Sequence, residues 1–232
     1  MPKEKPTSTP QEQNAYHEAF FGRAPGFVSI PEEIHAATQL GQALEDLVFH
    51  KVENTGFVTR TERDDILIGY WSLIFEYEKG ILCLLRSNYP APSAALLRPI
   101  VEALIKVHKA MIGTEQDVLQ IRRGNYNVSY EKDGAQIDQA LGLGSLLDDF
   151  LKKARPLLHS LTHSGKAQLW RRFDGNQVGV NFSDGEIAEQ IGIASSVAFL
   201  VTKLIARHFG FDEELQAAEQ LWLGYGARGY GY

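Results

Sequence analysis

Apolar residues recur at intervals of three and four through most of the chain, which is the spacing of amphipathic helices. The first such pattern begins at Ser29, where Glu32 completes a capping box, and it runs to about Asn54. Similar start signals, periodicity and stop signals predict six further helices, over residues 61–86, 93–111, 114–124, 145–163, 183–208 and 212–223. The chain is therefore predicted to be mostly α-helical.

Three internal stretches depart from this helical periodicity. Residues 88–92 contain two prolines and are predicted to form a turn, and residues 125–134 are predicted to form a loop. Residues 167–182 contain two short runs around Asp174-Gly175-Asn176, a pattern typical of a β-hairpin. The predicted fold is an up-and-down helical bundle with a small β-hairpin insert.

The domain organisation follows from these patterns. A single helical-bundle domain is predicted over residues 29–223, with the hairpin at about 167–182. The chain starts with a polar, Pro-rich stretch, so residues 1–28 are predicted to be disordered or loosely packed. The Gly/Tyr-rich residues 224–232 are predicted to form a flexible tail.

The helix predicted over 93–111 differs from the others because it is apolar on nearly every side. A helix of that kind is expected to occupy a central, buried position in a bundle. Pro99 lies within the pattern, and it is expected either to kink the helix or to mark its first turn.

The composition and the apolar segments of the chain indicate the cellular compartment to expect. The chain has 232 residues, a formal net charge of −6 and a single cysteine, Cys83, which excludes an internal disulfide and a Cys-based zinc finger. The first residues lack the apolar core of a secretory signal, and the best apolar stretch, Ile191–Ala206, is interrupted by Lys203 and two serines. We therefore expect a cytoplasmic protein that does not cross a membrane.

Arg98 and Glu102 form the first candidate site. They lie four residues apart among apolar neighbours and hence on one face of a helix. Buried charges need partners, so the two residues are either a structural ion pair or the floor of a polar pocket. In the second case Arg98 would bind a phosphate or carboxylate, and Glu102 could act as a general base.

Arg155, His159 and His163 form the second candidate site, because they recur every four residues along one predicted helix. Two imidazoles suit acid–base chemistry near neutral pH, and a nearby guanidinium can stabilise an oxyanion or a phosphate. The histidines could instead be polar residues at the end of the helix. They could also be half of a metal site, although zinc needs a third protein ligand and no H-E-x-x-H motif is present.

The charge around these histidines is strongly asymmetric. Residues 150–173 contain six lysines and arginines and no acidic residue, so this stretch carries +6 and leaves −12 for the rest of the chain. The aromatic residues Trp170 and Phe173 lie among the basic residues Lys166, Arg171 and Arg172, as on surfaces that stack nucleic-acid bases. The stretch is either a solvated basic face or the binding surface for an anionic substrate such as RNA.

Three short motifs carry a resemblance to a known family: L-R-P-I-V-E-A-L from Leu97, H-S-L-T-H-S-G from His159, and N-F-S from Asn181. Over roughly Asp65 to Phe209 the chain resembles an uncharacterised bacterial helical family related to HEPN domains (higher eukaryote and prokaryote nucleotide-binding) and to abortive-infection proteins. The resemblance implies a HEPN-like helical bundle.

The resemblance also implies a function. Active HEPN proteins are typically dimeric, metal-independent RNases of toxin–antitoxin or phage-defence systems. Their signature is an Arg, usually followed by a polar residue, and then a His after four to six residues. Here three residues separate Arg155 from His159, seven separate it from His163, and Pro156 follows it, so the spacing departs from that signature.

Two functions are therefore expected from the sequence. The first is a metal-independent RNase that uses Arg155, His159 and His163, needs no cofactor, and acts as a homodimer with a cognate protein partner. The second is a non-catalytic interaction or ligand-binding protein, such as a regulator or antitoxin-like partner. A metal-dependent hydrolase built from His159, His163 and Glu102 is a third, less favoured hypothesis.

Overall fold

The computed structural model describes residues 29–54, 58–141, 148–149, 151–152, 155, 158, 173–174, 177–178 and 182–227. Within these ranges the chain forms seven helices: α1 (Ile30–Asn54), α2 (Glu62–Arg86), α3 (Pro90–Ile112), α4 (Glu115–Arg122), α5 (Tyr130–Leu141), α6 (Asp184–Phe209) and α7 (Asp212–Ala227). Asp148, Asp149, Leu151, Lys152, Arg155 and Leu158 are also helical, and we call them the 148–158 segment. The prediction of a mostly α-helical bundle is confirmed.

The capping signals read from the sequence set most of the helix starts. Both hydrogen bonds of the predicted capping box are present at the beginning of α2, α4 and α6. In α1 the Glu32 carboxylate accepts hydrogen bonds from the backbone and the hydroxyl of Ser29. At the other end of α6, Gly210 adopts a left-handed conformation (φ 70°), which glycine tolerates without strain.

Two predicted helix ends are wrong. Helix α3 begins at Pro90 rather than Ser93, because proline fits the first helical turn, where no backbone donor is needed. The predicted turn over 88–92 therefore shrinks, and Pro99 lies in the helix interior rather than in its first turn. Helix α7 continues to Ala227, so it includes the first four residues of the predicted flexible tail.

Three pairs of neighbouring helices in the bundle, α1–α2, α1–α7 and α2–α3, run antiparallel. Between α1 and α2, Lys79 pairs with Glu45 and Arg86 bonds Thr38, so higher numbers on one helix meet lower numbers on the other. Helix α7 packs against α1 in the same way, with Lys51 against Glu214 at one end and Glu33 against Tyr225 at the other. The short Ser87–Tyr89 connection similarly turns α2 back into α3.

Helix α6 is the centre of the bundle. Every residue from Ile193 to Ala206 is buried, and the helix packs against α1, α2, α3 and α7. Helix α3, for which the sequence predicts the central position, is largely buried but keeps a polar stripe. By length and composition α6 is the one helix of the described residues that could cross a membrane, yet 78% of its most apolar window is buried inside the bundle, as in the core helix of a soluble protein.

The predicted hairpin lies mostly outside the described residues. Within it, Phe173–Asp174 (β1) and Gln177–Val178 (β2) pair antiparallel, with Phe173 opposite Val178 and Asp174 opposite Gln177. The β-hairpin insert as a whole stays a prediction.

Candidate functional site

Three of the predicted site residues have described positions: Arg98 and Glu102 on α3, and Arg155 in the 148–158 segment. The remaining six lie outside the described residues, namely His159, His163, Lys166, Trp170, Arg171 and Arg172. The geometry of the candidate site is therefore built on the two arginines and on the elements that hold them.

Arg98 and Glu102 form the ion pair that their spacing predicts. The Arg98 Nε lies 2.7 Å from the Glu102 Oε1, and the Tyr130 hydroxyl donates a hydrogen bond to the same oxygen at 3.1 Å. The hydrogen bond to Glu102 raises the pKa of Arg98, and burial together with the nearby Glu102 carboxylate raises the pKa of Tyr130. Tyr130 is therefore a neutral hydrogen-bond donor at physiological pH.

This pair is less buried than its apolar sequence context suggests. About a quarter of each side chain is exposed, 26% for Arg98 and 25% for Glu102. The apolar neighbours point into the core, whereas the stripe that contains Arg98 and Glu102 faces the start of α5. The pair therefore lies at the edge of the bundle, where a ligand in solution can reach it.

Helix α5 is the element that the sequence analysis missed. The predicted loop over 125–134 is wrong from Tyr130 onward, because the helix begins there. Its start is fixed by Asp133, whose carboxylate accepts hydrogen bonds from the Ser129 amide at 2.8 Å and the Tyr126 hydroxyl at 2.6 Å. A signal for this start exists in the sequence, since Ser129 is followed by the acidic residues Glu131 and Asp133.

The 148–158 segment packs antiparallel against α5. At one end, the Asp138 carboxylate accepts a hydrogen bond from the Asp148 amide at 2.8 Å. At the other end, the Glu131 Oε1 lies 2.9 Å from the Arg155 Nη1. Residues 131 and 138 thus face residues 155 and 148, so the two helical stretches run in opposite directions.

Gly134 allows this close packing between α5 and the 148–158 segment. A Cβ atom at this position would lie 3.0 Å from the Leu151 Cδ1 and 3.1 Å from the Asp148 Cα, closer than side chains normally approach. Leu151 and Leu158 are buried, while Lys152 and Arg155 are exposed. The segment therefore turns its leucines to the core and its basic side chains outward.

The first turn of α5 contacts both the Arg98–Glu102 pair and Arg155. Tyr130 contacts the Arg98–Glu102 pair, and the next residue, Glu131, pairs with Arg155. Arg98 and Arg155, which are far apart in sequence, consequently flank the same helical turn. Tyr130, Glu131, Gly134 and Asp138 are the residues of this region that the sequence analysis did not single out.

Three basic side chains of this region, Lys109, Lys152 and Arg155, lie close to carboxylates. Lys152 lies 2.6 Å from Asp148 and Arg155 lies 2.9 Å from Glu131. Farther along α3, Lys109 bonds Gln136 at 3.0 Å and lies 3.9 Å from Asp117. In the described part of the +6 stretch, both basic side chains are thus paired with carboxylates at the protein surface.

No group of three or more metal-ligating side chains occurs among the described residues. Of the three ligands in the metal-dependent hypothesis, only Glu102 is described, and its carboxylate is occupied by Arg98 and Tyr130. The chemistry that the described geometry supports is recognition of an anion by guanidinium groups.

Comparisons with known proteins found no match to this chain among protein-family models, curated proteins or solved structures. The resemblance to HEPN-related proteins stays a prediction from the three short motifs.

Proposed function

We propose that this protein is a HEPN-like, metal-independent endoribonuclease of the toxin or phage-defence type. One observation carries the proposal: consecutive residues of α5, Tyr130 and Glu131, contact the Arg98–Glu102 pair and Arg155 respectively. Two guanidinium groups on either side of one helical turn suit a ligand with several phosphates, such as an RNA strand.

The proposed chemistry divides the roles among three side chains. One histidine, His159 or His163, removes the proton from a ribose 2′-hydroxyl, whose oxygen then attacks the adjacent phosphorus. The bond from phosphorus to the 5′-oxygen breaks, and the other histidine donates a proton to that leaving oxygen. Arg155 stabilises the negative charge that develops on the phosphoryl oxygens. The products are a 2′,3′-cyclic phosphate and a free 5′-hydroxyl.

The remaining candidate residues serve substrate binding in this proposal. Arg98 binds a neighbouring phosphate and is held in place by Glu102. Lys166, Arg171 and Arg172 neutralise further phosphates, and Trp170 stacks on a base. We further propose that the protein is cytoplasmic, acts as a homodimer that joins two copies of the site, and is controlled by a cognate protein partner.

The test is cleavage of a mixed panel of RNAs in the presence of a metal chelator. Wild-type protein should cleave, and His163→Ala should lose at least about a hundredfold in rate, as expected for loss of a general acid or base. His35→Ala is the matched control, because His35 is exposed on α1 and its loss should leave cleavage unchanged. Equal cleavage by wild type and His163→Ala, or cleavage abolished by the chelator, would contradict the proposal.

A non-catalytic binding role is the second candidate. The observation in its favour is that Arg155 and Lys152 are both engaged by carboxylates, so the surface carries less free positive charge than the sequence alone indicates. If folded wild-type protein cleaves none of the RNAs, this regulatory or antitoxin-like role replaces the first.

A further inference from the structure

The ion pair between Glu131 and Arg155 is open to solvent on both sides. The Glu131 Oε1 and the Arg155 Nη1 are 2.9 Å apart, while 65% of the Glu131 side chain and 56% of the Arg155 side chain remain exposed. Surface pairs of this kind contribute little to stability, because water and salt screen them. A ligand can therefore replace the carboxylate at small cost to the fold.

A phosphate can compete effectively with the Glu131 carboxylate for the Arg155 guanidinium. The guanidinium group presents its donors as a planar fork that binds a phosphate through two parallel hydrogen bonds. The contact with Glu131 is a single hydrogen bond from one terminal nitrogen. An incoming phosphate thus gains more from Arg155 than the departing carboxylate loses.

The neighbouring Arg98–Glu102 pair shows the contrast. Glu102 accepts hydrogen bonds from both Arg98 and Tyr130, and only a quarter of its side chain is exposed. Displacing Glu102 would break two contacts in a half-buried place, whereas displacing Glu131 breaks one contact at the surface. Of the two carboxylates, Glu131 is the one that a ligand can move.

The position of Glu131 in the first turn of α5 also lowers the free-energy cost of separating its carboxylate from Arg155. The free amides at a helix start carry partial positive charge, which favours a carboxylate there. A Glu131 side chain that has left Arg155 therefore keeps a favourable electrostatic environment.

We infer that Glu131 competes with the substrate for Arg155, so that an RNA phosphate binds the guanidinium by displacing the Glu131 carboxylate. This inference rests on the proposed RNA site and adds a residue that sets its affinity. Without Glu131 the guanidinium is free before the ligand arrives, and binding no longer includes the cost of displacement.

The test is the affinity of each variant for a labelled single-stranded RNA that carries 2′-O-methyl groups, which prevent cleavage. Fluorescence anisotropy would compare wild type, Glu131→Gln and Glu76→Gln over a range of salt concentrations. Glu76 is exposed on α2, so Glu76→Gln changes the net charge equally without freeing Arg155. Glu131→Gln should bind about twofold to fivefold more tightly than Glu76→Gln, which corresponds to loss of an exposed ion pair.

A double variant, Glu131→Gln with Arg155→Gln, tests whether Glu131 acts through Arg155. In an Arg155→Gln background the Glu131→Gln substitution should bring no gain beyond that of Glu76→Gln, because the residue for which it competes is gone. If wild type binds RNA and Glu131→Gln binds no better than Glu76→Gln, the competition is refuted while the proposed RNA site stands. If no variant binds RNA, both the RNA site and the competition are wrong. Circular dichroism of each variant shows whether it is folded.

Discussion

Gly41 of α1 lies directly against the buried carboxyl group of Glu78 on α2. A Cβ atom at position 41 would come within 2.5 Å of the Glu78 Oε1, and the same oxygen has no hydrogen-bond partner. The glycine therefore makes room for a carboxyl group that is only 1% exposed. The stability of the α1–α2 interface therefore depends on the size of the residue at position 41 and on the charge of Glu78.

Gly41→Ala should destabilise the protein, although alanine is the better helix former. The gain in helix propensity is about 1 kcal/mol, whereas forcing a methyl group into packed surroundings costs about 1–3 kcal/mol. The difference is a net loss of up to about 2 kcal/mol in the free energy of unfolding, measured by urea denaturation. The control is Gly69→Ala, since that glycine is exposed in α2 with nothing near its Cβ position, and it should gain about 0.5–1 kcal/mol. Equal stabilisation by both substitutions would show that Glu78 moves aside freely.

Glu78 should make the stability of the protein fall with rising pH. Burial raises the pKa of Glu78 to about 8, with the Glu45 carboxylate adding to the rise and Lys79 opposing it. In the unfolded chain the pKa of a glutamate is about 4.3. Between that pH and pH 8 the folded state therefore holds a proton that the unfolded state releases. The contribution of Glu78 is thus complete below about pH 4 and is lost as the pH rises towards 8.

The Glu78→Gln variant removes this titration and keeps a side chain of similar shape. Urea unfolding would be measured at several pH values. Between about pH 4 and pH 8, the free energy of unfolding of the variant should rise by a few kcal/mol relative to that of wild type. All other titrating groups are common to both proteins, so they cancel in the difference. A difference that does not change with pH would mean that Glu78 titrates normally.

Gly134→Ala should loosen the 148–158 segment from α5. The added methyl group would meet the Leu151 side chain and the Asp148 backbone, and the backbone cannot turn aside as a side chain can. Hydrogen exchange measured by mass spectrometry should be faster for peptides that cover residues 148–158, with peptides from α6 as the internal reference. Gly192→Ala, at a position with no near neighbour, is the matched substitution. Unchanged exchange would show that the close approach at Gly134 is not required.

Asp64→Asn should destabilise the junction between α2 and α6. Burial raises the pKa of Asp64, but hydrogen bonds from His208, the Arg60 amide and Thr61 outweigh it and hold the pKa below its ordinary value. Its contribution is therefore present above about pH 4 and is lost as the pH falls through the lowered pKa. At neutral pH we expect a loss of about 1–2 kcal/mol in urea unfolding. Asp65→Asn, an exposed acidic residue of the same helical turn, should cost much less.

The helix starts could be predicted because their signals are local. Thr61, Thr114 and Ser183 each have an acidic residue three positions later, and the resulting capping boxes are all present. Helix α5 could not be predicted in the same way. Its third helical residue is Lys132 rather than an acid, and Gly134 follows within the first turns, so the pattern is typical of a loop.

The candidate site was predictable in part for the same reason. The Arg98–Glu102 pair depends only on a spacing of four within one helix. The contacts that α5 makes with both that pair and Arg155 depend on the antiparallel packing that Gly134 and Asp138 allow. Those contacts join residues that are distant in the chain, so no local sequence pattern predicts them.

The central position of α6 has a consequence for how the protein is made. On the ribosome, α1, α2 and α3 are synthesised well before residue 184, where the helix that covers their apolar faces begins. A nascent chain that stops short of α6 lacks the middle of its core, so it exposes those faces to chaperones and to other nascent chains. Completion of the bundle is thereby postponed until most of the polypeptide has been translated.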